Sequence, residues 1–227
     1  MKKVICFSLW GNEYRYIGGA FQNVELAKIF YPDWICRFYM GGDVEEDTVS
    51  KLSKNSNVEI LKMEDKCNWT GMFWRFLAAA DPTVDVMLSR DADSRLHQRE
   101  KAAVDEWLSS DKQFHIMRDH QYHSVPILGG MWGCKKGMLS NLTQAIEKYE
   151  KGDFLGVDQN FLGEHVYPFV AGYSLVHDEF FERKPFPKES GERNDEHFVG
   201  QAYYGDGSIL DQRTIFIQDY LKLELVK

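Results

Sequence analysis

Over the first hundred residues, short apolar runs alternate with segments of helical character, and this constrains the fold more than anything else in the chain. Residues 4–9, 34–40, 58–63 and 84–88 are apolar runs of strand length. Between them, 21–30, 45–54 and 70–80 read as helices, the first stopped by Pro32 and the third by Asp81-Pro82. Such alternation implies a parallel sheet with helices on both faces. The expected fold is therefore α/β, with a mostly parallel central sheet flanked by helices, in a single domain over 1–227. Sheets of this kind bind nucleotides at the carboxyl ends of their strands.

The fourth run ends in Ser89-Arg90-Asp91-Ala92-Asp93-Ser94-Arg95. In an extended chain, residues two apart point to the same side, so Asp91 and Asp93 would face one cleft. Two carboxylates at a strand mouth suit a hard divalent cation and the phosphates it carries. Asp85, inside the strand pattern, has no partner at that spacing. Neither G-x-G-x-x-G nor G-x-x-x-x-G-K-[ST] follows the first strand, so a metal is the natural substitute for handling phosphate.

Bulk properties narrow the class. A formal charge of −8 argues against a general nucleic-acid binder, which needs a basic footprint. The 44% hydrophobic and 27% charged content is that of a globular protein. Cys6, Cys36, Cys67 and Cys134 show no C-x-x-C spacing and read as reduced thiols. Residues 4–10 are too short an apolar run for a secretory signal, and no segment is long enough to span a membrane. The expected location is the cytoplasm. Asn68-Trp69-Thr70 and Asn141-Leu142-Thr143 match the glycosylation acceptor pattern by chance on this reading.

The second half predicts a helix over 98–108, a strand over 114–118, a helix over 139–149 and a short helix over 158–165. His120-Gln121-Tyr122-His123 offers donors and acceptors for a hydroxyl-rich ligand, or is a plain surface loop. Gly129 and Gly130 let backbone approach a ligand closely. Trp132 then either offers a face to a sugar ring or packs in the core. The polar stretch 184–196 is of the kind that becomes a mobile lid. Arg75, among Phe73, Trp74 and Phe76, needs a charged partner such as a diphosphate or Asp91, unless its helix face is exposed.

Taken in order, these motifs resemble those of GT-A-type glycosyltransferases. The aspartate pair resembles their D-x-D motif. Gly129-Gly130-Met131-Trp132-Gly133 resembles the glycine-rich acceptor-side strand. Gly156-Val157-Asp158-Gln159-Asn160 resembles the acidic helix start, and His197-Phe198-Val199-Gly200 the late histidine motif. With the Leu9-Trp10-Gly11 opening, the pattern is most similar to the small chlorovirus glycosyltransferase domains that build capsid glycans. The resemblance spans essentially the whole chain, although the Lys-Pro that usually follows H-F-x-G is missing.

It implies a hexosyl- or deoxyhexosyltransferase that moves sugar from a nucleoside-diphosphate sugar, a UDP-sugar above all, to a glycan hydroxyl. It implies Mn2+ or Mg2+ held by Asp91, Asp93 and His197, with His177 as a competing ligand. Ser8, Leu9, Trp10, Arg75, Arg90, Asp91 and Asp93 would meet the nucleotide, within a nucleotide-binding half 1–97. Asp158, with Asp119 as alternative, would be the acceptor-activating base in an acceptor-side half 98–227. The chlorovirus likeness implies inversion of the anomeric centre, and a glycogenin-like one implies retention. Two other readings stand beside this. A haloacid-dehalogenase-type phosphatase carries D-x-D on its first strand, where this chain has Ser8-Leu9-Trp10. A non-catalytic sugar- or nucleotide-binding module could share the fold.

Overall fold

The computed structural model describes residues 1–64, 67–150, 152–191, 193 and 197–211. Seven strands form one sheet: β1 Lys3–Leu9, β2 Ile35–Gly41, β3 Val58–Met63, β4 Val86–Ser89, β5 Phe114–Arg118, β6 Trp132–Lys135 and β7 Ser174–Asp178. Their order is β3-β2-β1-β4-β6-β5-β7. β1 pairs in parallel with β2 and β4, β2 with β3, and β5 with β7. Only β6 runs antiparallel, against both of its neighbours. Its direction follows from its connection. The loop 119–131 between β5 and β6 contains no helix, whereas a parallel crossover usually needs one.

Alternation along the strands divides the core between the two faces of the sheet. Val4 and Cys6 of β1 and Met87 of β4 pack beneath the helical segment Trp69–Ala80. Ile5, Phe7, Leu9, Val86 and Leu88 belong to the opposite face. That face is covered by α1 (Tyr14–Phe30), α2 (Glu46–Ser53) and α3 (Gln98–Ser109). On the first face α4 (Leu142–Lys148) and α5 (Val157–Phe161) add Leu142, Ile146, Val157 and Phe161. No described helix is long and apolar enough to cross a membrane.

Two departures from the sequence expectation shape the site. Helix α1 begins at Tyr14 rather than 21, and so reaches the end of β1. It contains Gly18 and Gly19, which destabilise a helix interior by about 1 kcal/mol each relative to alanine. Their role is close approach: a Cβ on Gly19 would run into the Ala92 carbonyl, and one on Gly18 into the backbone of Gly205. The second departure is the segment expected as an α-helix over 70–80. It is wound as a 3-10 helix, Trp69–Ala80, started by Asn68 Oδ1 accepting from Thr70 N at 3.0 Å. Asn68 and Thr70 of the acceptor-like tripeptide thus have a capping role. With three residues per turn, positions 69, 72 and 75 stack along one edge. Trp69, Met72 and Arg75 all face the same cleft.

Candidate active site

A cleft of about 790 Å³ opens beyond the carboxyl ends of β1 and β4. Ser8, Leu9 and Trp10 form one side, and Asp91 and Asp93 its floor. Gly129 and Asp158 close it from the second half of the chain. Seven of the residues expected to bind nucleotide, hold metal or act as base therefore share one cavity: Ser8, Leu9, Trp10, Arg75, Asp91, Asp93 and Asp158.

The aspartate couplet does not sit on the strand as expected. β4 ends at Ser89, and the chain turns, Ser94 N donating to the Asp91 carbonyl at 3.2 Å and Ser94 Oγ at 2.9 Å. Both carboxylates still reach the cleft because α1 clamps the turn. Asn23 Nδ2 donates to the Ser94 carbonyl at 2.8 Å, while Leu96 N donates to Asn23 Oδ1 at 3.0 Å. Tyr203 N donates to the Asp93 carbonyl at 2.8 Å. The Asp91 side chain remains 40% exposed and that of Asp93 only 12%.

Each carboxylate faces a guanidinium. Arg75 Nη1 lies 2.8 Å from Asp91 Oδ1, and its Nη2 lies 2.8 Å from Asp158 Oδ2. Arg15 Nη2 lies 2.9 Å from Asp93 Oδ2. Arg75 is buried, and its backbone N–H donates to Ser8 Oγ at 3.1 Å, which ties the 3-10 helix to β1. Burial pushes the Asp93 carboxyl up to about 6, with Arg15 opposing and the charge of Asp91 adding to the rise. Burial likewise raises Asp158, against Arg75 and with Asp91. Asp158 lies in the first turn of α5, entered through Gly156 at φ +88°, a backbone conformation that favours glycine.

The two glycines serve this cluster directly. A Cβ on Gly129 would strike Arg75 Nη2 and Asp158 Oδ2, and one on Gly130 would strike the Asp91 carboxylate. Ser89 Oγ holds the loop there by donating to the Gly129 carbonyl at 2.6 Å. Gly130→Ala is therefore expected to displace Asp91. Thermal unfolding should show a loss of stability of about 1–3 kcal/mol from the overpacked contact, with the protein still folded by circular dichroism.

Several expected site residues lie elsewhere. Arg90 points to the opposite face of the sheet, buried, with Nε 2.7 Å from Glu100 Oε1. The period-two alternation that suggested Asp91 for the cleft directs its neighbour away from it. His177 is on the edge strand β7, its Nδ1 2.8 Å from His115 Nε2 and its Nε2 3.4 Å from Glu106. His197 is exposed and does not line the cleft; Gly200 and Ala202, further along, do. Asp119 does not line the cleft; it is fully buried and held by Arg99 at 2.8 and 3.0 Å. Trp132 is a core residue, stacked on Phe114 with ring centroids 5.2 Å apart. In the loop 184–196, Ser190 and Gly191 accept from Arg99 at 2.9 and 3.0 Å; residues 192 and 194–196 lie outside the described ones. Tyr122 and His123 of the hydroxyl-seeking loop do line the cleft.

Among the described residues, no group of three or more His, Cys, Asp or Glu side chains is placed to hold an ion. Five carboxylates line the cleft, those of Glu13, Asp91, Asp93, Asp153 and Asp158, and the neighbouring pair Asp91 and Asp93 is the candidate donor set. That set fits a hard cation of the Mg2+ type, which is commonly held by one or two carboxylates plus substrate phosphates rather than by an all-protein cage. The cleft also leaves cationic donor capacity unused. The Nε atoms of Arg15 and Arg75 are buried without a hydrogen-bond partner among the described residues.

No protein-family model matches the sequence, and no curated protein matches it significantly. Solved structures share the fold. A glycosyltransferase involved in glycosylation of the major capsid of PBCV-1 is 18% identical, with a TM-score of 0.53, covering 84% of this chain and 89% of that one. The mannosyltransferase PcManGT from Pyrobaculum calidifontis, in complex with GDP-Man and Mn2+, is 12% identical with a TM-score of 0.55, covering 78% of this chain and 55% of that one. Glucosyl-3-phosphoglycerate synthase from Mycobacterium tuberculosis, in complex with Mn2+, uridine-diphosphate and glucosyl-3-phosphoglycerate, is 12% identical with a TM-score of 0.51, covering 77% and 68%. This chain thus spans little more than half of the mannosyltransferase. Nucleotidyltransferases share the architecture too. The fold is therefore an α/β fold that glycosyltransferases and a nucleotidyltransferase share.

Proposed function

We propose that this chain is a metal-dependent glycosyltransferase that moves a sugar from a nucleoside-diphosphate sugar, a UDP-sugar, to a hydroxyl of a capsid or surface glycan. The observation that carries the reading is Arg75, which joins Asp91 at the couplet to Asp158 across the cleft. One guanidinium thereby sets the spacing between a donor-side and an acceptor-side carboxylate. Solved structures of this fold that hold Mn2+ with GDP-Man or with UDP support a nucleoside-diphosphate donor and a divalent metal.

Mn2+ or Mg2+ held by Asp91 and Asp93 would neutralise the charge that grows on the departing diphosphate. The chain's own residues do the rest. Trp10 and Trp69 line the cleft edge to face, with centroids 6.5 Å apart, as an aromatic wall for the nucleotide base, and Trp74 backs Trp10 from the core at 6.0 Å. Arg75 holds Asp158 in place on the opposite wall. Asp158, with its affinity for protons raised by burial, takes the proton of the acceptor hydroxyl as that oxygen attacks the anomeric carbon. The bond to the diphosphate oxygen breaks in the same step, which inverts the anomeric centre. The first half, 1–97, supplies the nucleotide side and 98–227 the acceptor side.

The fold's nucleotidyltransferases favour a second reading, in which a nucleoside triphosphate and a sugar phosphate give pyrophosphate. Product analysis separates the two. Release of UDP from a UDP-sugar, with Mn2+ and a panel of glycan acceptors, is the expected result. Pyrophosphate released from UTP and a sugar phosphate would overturn the proposal in favour of the second reading. Binding without any turnover would overturn it in favour of a non-catalytic module.

A further inference from the structure

Arg15 was not marked by any sequence motif, yet it occupies a decisive place in the cleft. It stands in the first turn of α1 and pairs with Asp93 at 2.9 Å. The two partners differ in freedom. Asp93 is fixed by the clamped turn and by Tyr203, and its side chain is 12% exposed. The Arg15 side chain is 27% exposed, on a long flexible stem. It has a second anchor beside the cleft: Nη2 donates to Tyr16 Oη at 2.6 Å, and the guanidinium lies 4.6 Å from the Tyr16 ring centroid. Its buried Nε has no hydrogen-bond partner among the described residues.

Charge balance makes this pairing conditional. Among the described residues lining the cleft, the carboxylates of Glu13, Asp91, Asp93, Asp153 and Asp158 outnumber the guanidiniums of Arg15 and Arg75. A diphosphate added by itself would deepen the negative excess. A divalent ion on the couplet offsets much of it, but Arg15 then lies beside a doubly charged cation and is repelled. Arg75 is held on Asp158 as well as Asp91 and is buried, so Arg15 is the group that can move.

Resting on the glycosyltransferase reading, we propose that Arg15 exchanges partners. It occupies Asp93 as a stand-in cation until a divalent ion binds, and is then released to the diphosphate of the donor. The ion accordingly binds before the nucleotide. Arginine is well suited to the second task, because its fork of donors matches phosphate oxygens.

The exchange predicts opposite effects of one substitution. Mn2+ binding alone is followed by loss of the electron paramagnetic resonance signal of free Mn2+. UDP binding at saturating Mn2+ is followed by calorimetry. Arg15→Met removes the competing cation, so Mn2+ alone should bind about tenfold tighter, while UDP should bind about tenfold weaker. Arg15→Gln must repeat both changes, which guards against a local packing fault in either variant. Arg15→Lys keeps the charge without the fork, so its Mn2+ affinity should match the parent while UDP binding still falls. Neutral variants that weaken both ligands, or leave Mn2+ affinity unchanged, overturn the exchange while the functional reading stands. A parent protein that binds UDP equally with and without Mn2+ overturns both.

Discussion

Replacing Asp158 by asparagine is expected to lower kcat for sugar transfer by about 10²–10⁴, with KM for the donor little changed. Asparagine keeps the shape and can still face Arg75, but it cannot accept the proton of the acceptor hydroxyl. The carboxylate is buried, faces the cleft and contacts Arg75 at 2.8 Å. Its loss should therefore remove an interaction of the transition state and spare the binding of the ground state. Initial rates at saturating donor, measured against acceptor concentration, give the comparison. A variant that retains more than about a tenth of the parent rate would show that Asp158 is not the base.

Arg75→Met should have the largest effect on stability. Arg75 has only 6% of its surface exposed and bridges two carboxylates, one of which, Asp158, is itself 1% exposed. Methionine fills most of the volume but leaves Asp158 as a buried charge without its counter-ion. Breaking a buried pair from one side typically costs about 3–5 kcal/mol. For a chain of this size that corresponds to a fall in Tm of roughly 10 °C. The double variant Arg75→Met/Asp158→Asn removes the stranded charge and should recover part of the loss. Denaturant unfolding of the parent, both single variants and the double closes the cycle. A cost below about 1 kcal/mol for Arg75→Met would mean that the cleft carboxylates are sufficiently hydrated without it.

The sequence was most legible where one period governs. Apolar runs separated by helical spacing located β1 to β4, and their alternation predicted parallel pairing. The reversal of β6 depends on a helix-free connection, which apolar periodicity alone does not reveal. The helical character of 70–80 was readable, but its 3-10 winding was not; that winding is what places Trp69, Met72 and Arg75 in one row. Arg90 shows the reverse case, because strict application of the strand period would have turned it toward Glu100. Arg15 and Asn23 act through contacts across 78 and 73 positions of the chain or nearly so, with Asp93 and Leu96, and no local pattern announces such partners. His197 and His177 were placed by motif order, which does not specify which way a late loop or an edge strand presents its side chains.

Thermal unfolding with UDP, in the presence and absence of Mn2+, tests most directly whether Asp91 and Asp93 anchor an ion that grips the donor diphosphate. With ligand at about a hundred times Kd, stabilisation of about 2.7 kcal/mol is expected, a rise of roughly 5–10 °C. The rise should require UDP and Mn2+ together and disappear in Asp93→Ala. An equal rise without the metal, or one that survives in Asp93→Ala, would contradict the central claim.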